Sequence, residues 1–143
     1  MSQTAGGAPA ALVFDPWTLV FGLFGLGNLA NGLWMLADPA GWYHTLPAAV
    51  PDFGPLNEHF VRDIGCIFVL IGAGLVWAAV RPGLRLAACI VAAGFSGLHA
   101  LVHVLDTARG LVGPEHWMID VPGVYGPALL LVGLTFWMWR TAR

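Results

Sequence analysis

Four stretches of this chain, Trp17 to Ala37, Ile64 to Val80, Leu84 to Leu105 and Val121 to Trp139, are almost free of charge. Each approaches the about 20 apolar residues that an α-helix needs to cross a bilayer. Hydrocarbon offers no water to the backbone, so a spanning segment must satisfy its own amides and carbonyls, which a helix does. A mean hydropathy of +0.76 and 10% charged residues lie outside the range of soluble globular chains. The expected fold is all-α: an integral membrane four-helix bundle, one transmembrane domain over residues 1–143, with helices at about 16–38, 57–80, 84–108 and 121–140.

The helix limits rest on local signals. The second apolar stretch is short until extended back through Asn57, a good N-cap residue, which places Glu58, His59, Arg62 and Asp63 in its first two turns. Pro122, just after Asp120, suits a helix start, where a missing amide hydrogen is harmless. Arg81-Pro82-Gly83 is a tight break between the second and third spans. Small residues recur along the spans, at Gly22, Gly25, Gly27, Gly72, Gly74, Ala88, Ala92, Ala93, Gly97, Gly126 and Gly133, and such residues let helices approach closely in lipid. Cys66 and Cys89 differ in depth by roughly 12 Å, too far for a disulfide, and read as core thiols.

Four spans put the N-terminus, the 81–85 turn and the C-terminus on one side of the membrane. That side carries Arg81, Arg85, Arg140 and Arg143 against Asp15, while the other carries Arg62, Arg109 and the remaining seven acids. The excess of arginine predicts both termini in the cytoplasm of a bacterial inner membrane, with the 38–57 and 106–121 connections facing the periplasm. Trp34, Trp42, Tyr43 and Trp117 then fall at the outer interface, and Trp17, Trp77, Trp137 and Trp139 at the inner one. The small, polar start, Met1 to Ala10, has no basic residue before the first apolar run and does not read as a cleaved signal. With no lysine and six dispersed arginines, the chain has no basic patch for nucleic acid.

All five histidines, His44, His59, His99, His103 and His116, lie in the outer half or the outer connections. In the third span His99, His103 and Asp106 stand at i, i+4 and i+7, one helical stripe; in the second, His59 and Asp63 are also four apart. Two such pairs on facing bundle helices can enclose a metal ion, because helix geometry holds each pair of donors at a shared depth. His59, Asp63, His99 and His103 make a three-nitrogen, one-carboxylate set suited to copper, zinc or non-haem iron. Asp106 or Glu58 would be a further ligand or orient an imidazole, and Arg62 would polarise a bound molecule. Haem is the alternative cofactor, with His99 or His103 as an axial ligand.

Other readings compete at each position. The same groups can be structural glue, with His59 and His103 paired to Asp63 and Asp106 and Arg62 neutralising a carboxylate; a metal-free proton pathway is a third use. Asn28 and Asn31, near mid-membrane on one stripe, either bond a neighbouring helix or line a ligand cavity. Ser96 lies one turn before His99 but lacks an evident oxyanion donor, so bonding to its own helix is the favoured reading. His44 and His116 read as solvated interfacial histidines. The proline-, glycine- and aromatic-rich connection from Asp38 to Pro55 is either a lid over the bundle mouth or an interfacial turn, and the 109–120 connection would complete such a lid.

With four short spans, an outer connection ending in Asn57-Glu-His-Phe-Val-Arg-Asp-Ile-Gly65 and the third-span run His99-Ala-Leu-Val-His103-Val-Leu-Asp106, the chain resembles small uncharacterised bacterial inner-membrane proteins, broadly DoxX-like in size and layout. The resemblance implies a fold and carries no mechanism. The expected function is a membrane-embedded metal or metallocofactor site near the periplasmic face, open to redox chemistry, with no catalytic residue assigned. The rivals are a non-enzymatic binder of a lipophilic molecule, a quinone or lipid, and a structural accessory subunit. Membrane lipids are the expected surroundings, and a homo-oligomer is compatible with the pattern.

Overall fold

The computed structural model describes residues 14–141; the readings on Met1 to Ala10 and on Arg143 lie outside them. The chain runs through α1 (Pro16–Ala37), α2 (Pro39–Thr45), a 3-10 turn (Val50–Phe53), α3 (Glu58–Ala79), a second 3-10 turn (Pro82–Leu84), α4 (Arg85–Ala108), α5 (His116–Ile119), a π-helical turn (Val121–Tyr125) and α6 (Gly126–Thr141). The architecture is all-α, with four helices long and apolar enough to cross a membrane: α1, α3, α4 with its leading 3-10 turn, and α6 with the short turns before it.

Local chemistry explains the limits. Asp15 caps α1, its carboxylate accepting from the Thr18 amide while the Thr18 hydroxyl accepts from the Asp15 amide, a reciprocal capping box, with Pro16 in the first turn. Asp38 ends α1 and caps α2 by accepting from the Gly41 amide at 2.9 Å, and Asn57 caps α3 through the Phe60 amide at 3.1 Å. The fourth span departs from a plain helix over 121–140. Pro122 lacks an amide hydrogen, and the Tyr125 amide reaches back to the Asp120 carbonyl at 3.0 Å, so regular α-helix begins only at Gly126.

α1 and α3 pack backbone against backbone. A β-carbon on Gly32 would lie 2.7 Å from the Gly65 carbonyl oxygen and 2.8 Å from the Val69 nitrogen; one on Gly72 would lie 2.6 Å from the Leu29 nitrogen. Gly25 faces Gly72 and Val76 as closely, so the contact recurs after seven residues on each helix. Of the expected packing glycines, Gly25 and Gly72 sit in this seam, whereas Gly22, Gly27, Gly74, Gly97 and Gly133 face open space. Gly32 and Gly65 belong to the seam as well.

Phe21, Leu75, Cys89, Ala92 and Leu131 bring all four spans into one apolar core. Cys89 is a core thiol as expected, but Cys66 is exposed on the outer face of α3, because the buried side of that helix is taken up by Val61, Gly65, Gly72 and Leu75. The end bearing the 81–85 turn is tied by Arg85, which is buried. Its guanidinium donates to both Asp15 carboxylate oxygens, at 2.7 and 2.9 Å, and to the carbonyls of Ala78 and Ala79. The Thr18 hydroxyl donates to Ala79 as well, and the Trp17 ring packs tilted against Trp137 of α6, centroids 5.1 Å apart.

The guanidinium beside Asp15 holds its carboxyl below the ordinary carboxylate range, with the Thr18 amide adding to the effect against the cost of burial. A carboxyl depressed in the folded state contributes stability that is present above its unfolded pKa and is lost as pH falls through the folded value. Acid below the usual carboxylate range is therefore expected to loosen the three-helix end first. Melting in micelles from pH 6 down to pH 2 should show a falling midpoint in the native protein and a flatter profile in Asp15→Asn; parallel profiles would remove Asp15 from the account.

Candidate functional site: a buried histidine and aspartate chain

The opposite end of the bundle gathers the titratable groups. Asp120, 1% exposed, closes α5 and opens the π turn; its Oδ2 lies 2.8 Å from His103 Nδ1 on α4 and its Oδ1 lies 3.4 Å from His116 Nδ1. His116, 0% exposed, stands four residues before Asp120 on the same short helix, and its Nε2 lies 3.2 Å from Asp52 Oδ2. The His99 ring meets the His103 ring edge to face at 4.6 Å and lies parallel to Phe95 at 5.8 Å. The groups form one line: Asp52, His116, Asp120, His103, His99.

The 38–57 connection builds the mouth of this line. The Val50–Phe53 turn lies over the site, with the Phe53 ring 4.7 Å from His103 and 4.8 Å from His116. Two residues in the left-handed region bracket it, Ala49 at φ 47° and Gly54 at φ 123°, and the Tyr43 hydroxyl donates to the Gly54 carbonyl at 2.6 Å. Glycine takes such a φ without strain, whereas the alanine methyl resists it. Asp52 remains half-exposed, so the line begins at the surface.

Geometry constrains the protons. Each ring nitrogen of His116 faces a carboxylate oxygen, and an ionised carboxylate only accepts. Either His116 is an imidazolium or one carboxyl keeps a proton; in both cases the line stores one. His103 spends Nδ1 on Asp120, which leaves Nε2 as its outlet. The Tyr125 hydroxyl, in the π turn near Asp120 and the Thr107 hydroxyl, is enclosed and has no hydrogen-bond partner of good geometry among the described residues.

The expected four-donor set is not assembled. His59 and Asp63 pair with each other at 3.4 Å on the outer face of α3, 87% and 58% exposed, and Arg62 pairs there with Glu58 at 3.0 Å. Among the described residues no three His, Cys, Asp or Glu gather in a group that could hold a metal ion. Of the expected residues, His99 and His103 are in the line, while no side-chain bond joins Asp106 to it. Asn28 bonds back to its own helix at the Phe24 carbonyl, and Asn31 accepts from the Trp42 indole at 2.9 Å, holding α2 against α1. His116 is the largest correction: it is buried rather than solvated, because α5 folds the 109–120 connection back under the Phe53 turn. His116 and Asp120 are spaced like His59 and Asp63, and that pattern was the available signal.

No family model, curated protein or solved structure matches the chain, so what stands is a small membrane protein of four long apolar helices with no family identified.

Proposed function

We propose that this membrane protein moves protons between one aqueous face and a group in the outer half of the bilayer, through Asp52, His116, Asp120, His103 and His99. The observation that carries the reading is Asp120, buried between two imidazoles and bonded to each through a different oxygen. His116 and Asp120 each have one polar atom toward the surface side of the line and another toward its interior side, and the His99 ring touches the His103 ring at the inner end. With Asp120 as the carboxylic acid and its proton on Oδ2, a proton taken by His116 at Nε2 releases one from Nδ1 to Asp120 Oδ1 as Oδ2 passes its own to His103 Nδ1, and His103 gives one from Nε2 to the molecule the line serves.

The line stops short of crossing. Beyond Phe95 the interior is the apolar core of Phe21, Leu75, Cys89 and Leu131, which offers no relay. The line therefore loads and unloads protons from one side, serving a lipophilic molecule that reaches His99 from the bilayer, beside the lipid-exposed Leu98, Leu101 and Val102. The arginine distribution supports a periplasmic mouth in a bacterial inner membrane. A cysteine placed at Asp52 should then label from outside intact cells, and labelling from the cytoplasm alone would reverse the orientation.

A second reading keeps the metal. A carboxylate on His103 Nδ1 fixes the lone pair at Nε2, the arrangement that orients histidine toward a metal, and His99 lies alongside; copper, zinc, non-haem iron or haem iron would find two imidazoles there. Nitrogen NMR of histidine-labelled protein in nanodiscs separates the two. The relay predicts that Asp120→Asn changes the titrations of His103 and His116 together, and that proteoliposomes leak protons no faster than empty vesicles. Independent titrations that ignore Asp120→Asn would overturn it. Stoichiometric metal whose removal by chelator moves the His99 and His103 signals would favour the second reading.

A further inference from the structure

At the end tied by the Arg85 clamp, a groove of about 320 Å³ lies between α4 and α6 on the outer side of the bundle. Ile90 and Ala93 of α4 and Val132, Thr135, Phe136 and Trp139 of α6 line it. Val132 and Trp139 stand two turns apart, so the groove runs roughly 10 Å along the helix, from the rim of the bundle toward its middle. Below Trp139 its walls are apolar. The one hydroxyl among them, on Thr135, is spent on its own bundle, 2.7 Å from the Leu131 carbonyl and 3.2 Å from Cys89 Sγ. Such a slot suits a hydrocarbon chain and gives a polar molecule nothing to bond.

The rim adds a charge. Arg140 follows Trp139, and its guanidinium lies over the Phe136 ring, 5.5 Å from the centroid. A cation held on a ring face keeps its N–H donors for another partner. Among the described residues no carboxylate pairs with Arg140: of the eight acids in the chain only Asp15 lies at this end, and Arg85 takes both of its oxygens. We propose that the α4–α6 groove binds one anionic phospholipid of the leaflet at this end, with a tail along Phe136 and Val132 and the phosphate against Arg140. Guanidinium and phosphate match in shape as well as in sign. A zwitterionic headgroup would bring a further cation to a rim that already carries Arg81, Arg85 and Arg140 against one aspartate, whereas a headgroup of net negative charge balances them. The site lies at the opposite end from the histidine line, and it stands whether or not that line carries protons and whichever face is cytoplasmic.

Lipid competition supplies the test. The full chain in micelles containing equal phosphatidylglycerol and phosphatidylcholine should retain phosphatidylglycerol as its single bound lipid at least about fivefold more often, the worth of one arginine near an anionic headgroup, as read by native mass spectrometry. Arg140→Gln should bring the ratio close to parity. Arg109→Gln, which removes the same charge from an exposed position at the opposite end, should leave it unchanged. Val132→Trp, which fills the groove from its wall, should lower retention of either lipid, whereas Leu129→Trp, exposed on the same helix outside the groove, should not. Excess inorganic phosphate should fail to displace the lipid, because the tail is part of the site; displacement would reveal a bare anion site and overturn the proposal. Equal retention of the two lipids, or equal losses in the Arg140 and Arg109 variants, would mean ordinary solvating lipid and overturn it as well. Should Val132→Trp fail to fold, the two arginine variants decide.

Discussion

Gly72→Leu will separate α1 from α3 and cost about 3 kcal/mol, the upper end of the usual overpacking range. Even a β-carbon at this position falls within contact distance of the Leu29 nitrogen and the Gly25 carbonyl, and backbone cannot swing aside as a side chain does. The leucine has to force the helices apart along their length, which also empties the spaces at Gly32 and Gly65. In lipid this loss is not recovered by hydrophobic collapse, since tails are as apolar as leucine and close packing is the main attraction between helices. Unfolding in mixed micelles should show the loss directly. Gly74→Leu, at a glycine with open space beside it, is the control and should change little; equal losses at both positions would mean that the seam does not govern stability.

Asp120→Ala is expected to cost about 3 to 5 kcal/mol, as when one partner of a buried charge pair is removed. The variant leaves His103 Nδ1 and His116 Nδ1 facing a void, and the π turn loses the side chain that joins it to α4. Asp120→Asn keeps an acceptor of the same shape and should lose less, because a charge-assisted bond is roughly twice as strong as a neutral one. The two variants separate structure from chemistry. If stability follows this order while proton exchange at His103 fails in both, Asp120 acts through its exchangeable proton; equal stability in all three proteins would show that the aspartate is not a strut.

The spans were readable because length and apolarity are decisive in a bilayer, and the cap at Asn57 shows in the sequence as an ordinary helix signal. The stripe of His99 and His103 was equally plain, since both lie on one long helix. What a linear reading could not supply was the partner across the bundle. His59 and Asp63 had the right spacing and depth to face that stripe, but the glycine seam on the opposite side of α3 turns them outward. The true partners sit in a connection, on a four-residue helix followed by a π turn, and no window of 20 apolar residues registers such elements. His116-Trp-Met-Ile-Asp120 carried the pattern in full, and its place between spans made it look like surface.

The Arg85 clamp has a bearing on how the chain is made. Its partners, Asp15, Ala78 and Ala79, all precede it, and so does Thr18, which bonds the same carbonyl. Nothing in the clamp waits for α6, whereas the histidine line needs Asp120 and the turn that leads into the last span. During synthesis from the N-terminus, the closed end can therefore be complete while the fourth helix is still leaving the ribosome, and the last helix arrives at a scaffold already tied shut at its far side. Biosynthesis would then finish the anchor before the end that bears the histidine line.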